Sequence, residues 1–135
     1  MTIKYYHKRM TVILFVTAMA LFSQVPAGGN GSQAEPVDKI VQHLIAYVEQ
    51  SGMTFIRNSR QYTAKEAAEH MQKKYDYYRG DIDTPEKFIE LCATRSILSG
   101  EPYLIINEQG KKIRTSEWLL KELQEYRNSS TGESD

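Results

Sequence analysis

Residues 53–71 read MTFIRNSRQYTAKEAAEHM, and the fold class turns on this stretch. Met53 to Asn58 is rich in β-forming residues and follows Gly52, so it predicts a strand bounded by the polar Ser59-Arg60-Gln61. Thr63-Ala64-Lys65-Glu66 is then a capping box, in which hydroxyl and carboxylate satisfy the free N–H groups of a helix start reciprocally. Beyond it Ala64, Ala67, Ala68, Met71, Tyr75 and Tyr78 recur at helical spacing and share one face. A strand that hands over to an amphipathic helix calls for a mixed α+β architecture.

Both flanks agree. Upstream, Val37, Ile40, Val41, Leu44, Ile45 and Val48 form an unbroken helical stripe, and Gly52 supplies a left-handed stop. Each of these aliphatics contributes about 1.5–3 kcal/mol when fully buried, so this helix is a core element. Downstream, Gly80 ends the second helix and Asp81-Ile82-Asp83 makes a turn. Thr84-Pro85-Glu86 then starts another helix with an N-cap hydroxyl, a first-turn proline and an acid at the positive end of the dipole. Phe88, Ile89, Leu91 and Cys92 form its apolar side. Tyr103 to Ile106 reads as a strand, Asn107-Glu108-Gln109-Gly110 as a hairpin turn, and Lys111 to Arg114 as the return. Thr115 or Ser116 is expected to cap a last helix built on Leu119, Leu123 and Tyr126. The expected order is α-β-α-α-β-β-α: one small α+β domain over residues 36–127, with about four helices around a two- or three-stranded sheet. Residues 128–135 are expected to be a disordered tail and Gly28 to Glu35 a flexible linker.

The first residues have a different purpose. Lys4, His7, Lys8 and Arg9 precede the apolar run Met10 to Phe22, and Val25 and Ala27 occupy the −3 and −1 positions of a cut after Ala27. At ~1.5 Å per residue the run spans roughly 20 Å, short of the ~30 Å hydrocarbon core. These features together predict a secretory signal peptide cleaved after Ala27, and hence an exported, periplasmic domain. A retained single anchor is the alternative. Membrane contact is expected only through this leader.

The chain carries 17 Lys and Arg against 17 Asp and Glu. Without the leader the balance is slightly acidic, which excludes a strongly basic nucleic-acid binder. Cys92 is the single cysteine and cannot close an internal disulfide. Its place on a helical apolar face makes it a buried, inert thiol.

No catalytic motif stands out: there is no GxSxG elbow, HExxH or P-loop, and no metal or cofactor is called for. The best polar cluster combines Arg57 and Asn58 at the end of the first strand with Glu66, His70 and Lys74, spaced i, i+4, i+8 along the second helix. Arginine, asparagine and histidine brought together suit an anionic or hydrogen-bonding ligand. The competing reading is a solvated helix edge. A zinc site on Glu66 and His70 would need His43 or an acid as its third protein ligand. A second candidate surface is Ser99-Gly100-Glu101-Pro102-Tyr103, a stiff loop ahead of a strand; its competing reading is a well-made turn.

The phrases FIRN (55–58), YTAKEAAEHM (62–71), TPEKFI (84–89), SGEPYL (99–104) and EWL (117–119), in this order, resemble the YfeK-like family of small exported proteins of Gram-negative bacteria, a domain of unknown function. The resemblance spans roughly Val37 to Leu123. It implies a periplasmic location and one small domain, and no reaction. The residues matching the family's polar pattern are Arg57, Asn58, His70, Lys74, Ser96, Ser99 and Tyr103, candidates for a shared ligand- or partner-binding surface. The leading expectation is a non-enzymatic module that binds a small ligand or an envelope protein. The alternatives are an envelope-acting hydrolase, with His70 as general base and Ser99 as nucleophile, and a purely structural envelope protein.

Overall fold

The computed structural model describes residues 35–132. The predicted leader, the Ala27 cleavage position and most of the Gly28–Glu35 linker lie outside the described residues. Helix α1 is Val37–Gln50, followed by strands β1 (Thr54–Arg57) and β2 (Arg60–Tyr62) and helix α2 (Ala64–Tyr78). A 3-10 turn at Arg79–Asp81 leads to α3 (Pro85–Ala93), β3 (Leu104–Ile106), β4 (Lys112–Arg114) and α4 (Thr115–Thr131). The strands form one antiparallel sheet in the order β2-β1-β3-β4. The α+β class is as read from the sequence, with a four-stranded sheet in place of two or three strands.

Local chemistry accounts for these elements. The α1 stripe buries Ile40, Val41, Leu44, Ile45 and Val48, and Gly52 takes φ +63° just past the helix end. At the start of α2 the Thr63 hydroxyl accepts from the Glu66 N–H at 3.2 Å, while the Glu66 carboxylate accepts from the Thr63 N–H at 2.8 Å. On α3 the Thr84 hydroxyl accepts from the Lys87 N–H, with Pro85 in the first turn. The register places Tyr62, Phe55, Ile105 and Ile113 in one cross-strand row, and Phe55 and Ile105 on the central strands are buried. That row and the inward faces of the helices make one core running from Ile40 to Leu123.

Three details differ from the sequence reading. Ser59-Arg60-Gln61 is not simply a boundary: Arg60 to Tyr62 is a strand, reached through a two-residue turn with Asn58 at φ 50° and Ser59 at φ 61°. Both residues are left-handed, the geometry that matches a tight hairpin to the twist of its strands. Neither Thr115 nor Ser116 caps α4, because Arg114 occupies the cap position and offers no side-chain hydrogen bond. Thr115 is instead the first helical residue: its N–H donates to the Tyr103 carbonyl, and its fully buried hydroxyl has no partner. Finally, α4 runs to Thr131, past the boundary placed at Asn128. The hydroxyls of Ser129 and Ser130 donate to the Tyr126 carbonyl and that of Thr131 to the Arg127 carbonyl, so polar residues that read as tail carry the last helical turn.

Candidate functional site

The hairpin β1–β2 and helix α2 meet along a small cleft lined by Phe55, Ile56, Arg57, Tyr62, Glu66, Ala67, His70, Met71 and Tyr103. Its free volume is about 30 Å³, room for roughly two waters or the end of a ligand. Burial of Ala64, Ala68, Met71 and Tyr75 sets the rotation of α2, and Ala67, His70 and Met71 come to line the cleft. Arg57, the last residue of β1, lays its guanidinium over the Tyr62 ring with 4.6 Å to the centroid. Such stacking holds a planar fork in one orientation. Tyr103, buried just ahead of β3, meets the His70 ring edge-to-face at 6.1 Å, and its hydroxyl lies 3.4 Å from His70 Nε2. Lys74, one turn beyond His70, places Nζ 5.3 Å from the centroid of the same Tyr103 ring.

The cleft is lined by one cation, Arg57, and one acid, Glu66, with Lys74 buried against Tyr103 nearby. Lys74 is only 9% exposed, and its ammonium has a single long hydrogen bond, to the Arg95 carbonyl at 3.5 Å. Burial pushes that ammonium below the usual lysine range. His70 is lowered to about 4, by burial first and then by the charges of Arg57, Lys74 and Lys73. It is therefore a neutral hydrogen-bonding group near pH 7. Burial raises the Tyr103 phenol, which stays protonated. The one acid lining the cleft, Glu66, accepts from both the N–H and the hydroxyl of Thr63, and these bonds hold its carboxyl below the usual range.

Of the residues named from the sequence, the structure brings Arg57, His70, Lys74 and Tyr103 together. Asn58 and Ser99 meet beside them, the Ser99 hydroxyl donating to Asn58 Oδ1 at 2.6 Å and so fastening the loop before β3 to the tip of the hairpin. Ser96 is buried and serves that loop: its N–H donates to the Glu101 carbonyl and its own carbonyl accepts from the Gly100 N–H. Ser99 and His70 are engaged with different partners, Asn58 and Tyr103. Among the described residues no group of three or more His, Cys, Asp or Glu side chains is placed to hold a metal ion. His43 lies elsewhere, with Nε2 2.7 Å from Glu122 Oε1. Cys92 is buried, and its thiol is pushed up to about 11 by that burial.

Sequence reasoning left out Phe55, Ile56 and Met71 as walls of the cleft, and Tyr62 as the platform under Arg57. The aromatic residue five places after Arg57, at the far side of a tight turn, is the signal that pairing across the hairpin would have revealed. It also left out the exposed aliphatic pair Ile97 (70%) and Leu98 (95%), which crowns the loop held by Ser96 and Ser99.

Residues 35–127 match the family of unknown function DUF5329. The chain belongs to this family. In keeping with the YfeK-like resemblance, the chain is also similar to the uncharacterized protein YfeK of Salmonella typhimurium strain LT2, 34% identical over 85 residues. That alignment covers 63% of this chain and 70% of the relative. No solved structure matches the chain.

Proposed function

We propose that this DUF5329 protein is an exported, non-enzymatic binding module of the Gram-negative envelope, and that the cleft between β1–β2 and α2 is its binding site. The observation that carries the reading is Lys74, a buried ammonium with no carboxylate within ion-pair distance among the described residues, lying against the Tyr103 ring that lines the cleft. Folding alone does not favour such a group, because desolvating a charge costs several kcal/mol unless a counter-charge compensates. A residue kept against stability is the kind that binding retains.

Two measurements test this. Lys74→Met preserves the stem and removes the charge, and is expected to raise the unfolding free energy by about 1–2 kcal/mol in urea titration. A loss of stability would make Lys74 part of the scaffold and remove the main support for the site. Export is tested by the intact mass of the protein recovered from the periplasmic fraction of an expressing Gram-negative cell. A chain beginning at Gly28 is expected, from the short apolar run ending in Val25-Pro26-Ala27. Recovery of the uncleaved chain in the cytoplasm would refute it.

A further inference from the structure

The loop between α3 and β3 turns its two aliphatic side chains away from the core. Leu98 is almost fully exposed and Ile97 largely so, although the loop that carries them is closely tied. The Ser96 N–H donates to the Glu101 carbonyl at 2.9 Å, the Gly100 N–H to the Ser96 carbonyl at 2.9 Å, and the Tyr103 N–H to the Thr94 carbonyl at 3.0 Å. The Ser99 hydroxyl fastens the turn to Asn58 at the tip of the β1–β2 hairpin. The loop thus buries Ser96 and Tyr103 and displays an aliphatic pair. Single exposed aliphatics are ordinary, but two side by side on a pinned turn form a small apolar tip that the fold itself leaves uncovered.

The charge beside this tip is mainly positive. Across the hairpin tip and the loop, residues 57–60 and 95–102, Arg57, Arg60 and Arg95 stand against one acid, Glu101. None of the three arginines is within ion-pair distance of a carboxylate among the described residues. Five lysines share that lack: Lys65, Lys73 and Lys74 on α2, and Lys111 and Lys112 past the β3–β4 turn. The pairing of Thr54 with Ile106 puts that turn at the opposite end of the sheet from Arg57, whereas Lys74 lies beneath the loop, on the Arg95 carbonyl at 3.5 Å. Arg57 and Arg60 are moreover direct cross-strand partners. Like charges so opposed are destabilising, and an anion set against them relieves the repulsion.

An occupant of this surface must take a small aliphatic tip and answer arginine with anionic oxygen. A folded partner, or a second copy of this chain, needs about 800 Å² of matched surface on each side for a stable complex. Two side chains on one turn supply a fraction of that. A bilayer needs no matched surface: aliphatic side chains gain burial as they enter below the headgroups, while arginine forks pair with phosphates and feel the negative surface potential. We propose that this loop docks on an anionic lipid bilayer, Ile97 and Leu98 entering the interfacial layer and Arg60 and Arg95 meeting the headgroup phosphates. This contact is separate from any made by the predicted leader, and it does not depend on the cleft being a binding site.

The experiment floats the full chain with vesicles of equal parts phosphatidylcholine and phosphatidylglycerol, and with vesicles of phosphatidylcholine alone. The contact itself is read in Leu98→Trp by quenching with brominated lipid, with Trp118 of the parent as background. Preference for the anionic vesicles is expected, with quenching in Leu98→Trp beyond that of the parent. Ile97→Ser combined with Leu98→Ser is expected to weaken binding to the anionic vesicles about tenfold or more. Arg60→Gln combined with Arg95→Gln is expected to weaken it about tenfold, a loss that added salt reproduces in the parent. All four positions are exposed, so the melting temperature is expected to stay close to that of the parent. Flotation without added quenching in Leu98→Trp would put the contact on the leader or another face and overturn the proposal. Undiminished binding of the double serine variant, or equal binding to the two kinds of vesicle, would overturn it too. A dimer in sedimentation that the serine substitutions dissolve would give the loop to a second copy instead.

Discussion

Phe88→Ala is expected to lower the unfolding free energy by about 3–5 kcal/mol, the largest single-site loss this fold offers. Phe88 on α3 is fully buried, and its ring meets Tyr75 of α2 edge-to-face at 5.8 Å with planes 86° apart. The substitution removes the transfer free energy of the ring, leaves a cavity, and gives up an aromatic pair worth about 0.5–1.5 kcal/mol beyond its area. The site has little freedom to collapse, because Ile89 and Cys92 on the same helix are also buried. A domain of this size holds only about 5–15 kcal/mol in total, so the loss is a large fraction of the whole. Urea titration checks this: the midpoint falls while the slope is unchanged. A loss below about 1 kcal/mol would mean that α3 does not pack on α2 through this ring.

How much of this was legible follows from the range of the forces involved. The stripe of α1 could be read because burial and helical period act on the same aliphatics, five of them buried and Val37 partly so. The starts of α2 and α3 could be read because Thr63 with Glu66, and Thr84 with Lys87, are contacts three residues apart. Strand β2 was hidden because one half-buried aromatic, Tyr62, carries its inward face and Asn58-Ser59 lacks the glycine of the commonest tight turns. Thr115 misled because a threonine at a strand–helix junction reads as a cap, whereas β4 feeds α4 without a break and buries the hydroxyl. Asn128 to Thr131 read as tail because nothing there is apolar; their helix is held by hydroxyls returning to backbone carbonyls.

The site divides in the same way. Arg57 and His70 were paired in advance because a strand and the helix that follows it pack together. Lys74 continued the line of Glu66 and His70 and was open to a solvated reading. Its burial depends on Tyr103 and the Arg95 carbonyl, which arrive from the far side of α3. The Asn58–Ser99 bond is likewise a tertiary contact between two turns, and no local pattern marks it.

His70→Gln is expected to remove an acid-induced loss of stability that the parent shows between about pH 6.5 and pH 4. In the folded domain His70 titrates at about 4, because it is partly buried and faces the charges of Arg57, Lys74 and Lys73. In the unfolded chain it titrates near 6.5. Between these values the unfolded state binds more protons, so stability falls as the pH drops; below the folded value both states are protonated and the loss levels off. The depressed value corresponds to about 2–4 kcal/mol. Glutamine keeps a polar group within reach of the Tyr103 hydroxyl and cannot be protonated in this range. Carboxylates such as Glu66 and Glu86 weaken both proteins alike as they protonate, so the difference between the two stability–pH curves isolates the histidine. Curves that run parallel from pH 7 to pH 4 would mean that His70 keeps its ordinary value. A widening gap would establish that His70 is neutral in the folded domain near pH 7, a hydrogen-bonding group beside the Tyr103 hydroxyl rather than a further cation next to Arg57 and Lys74.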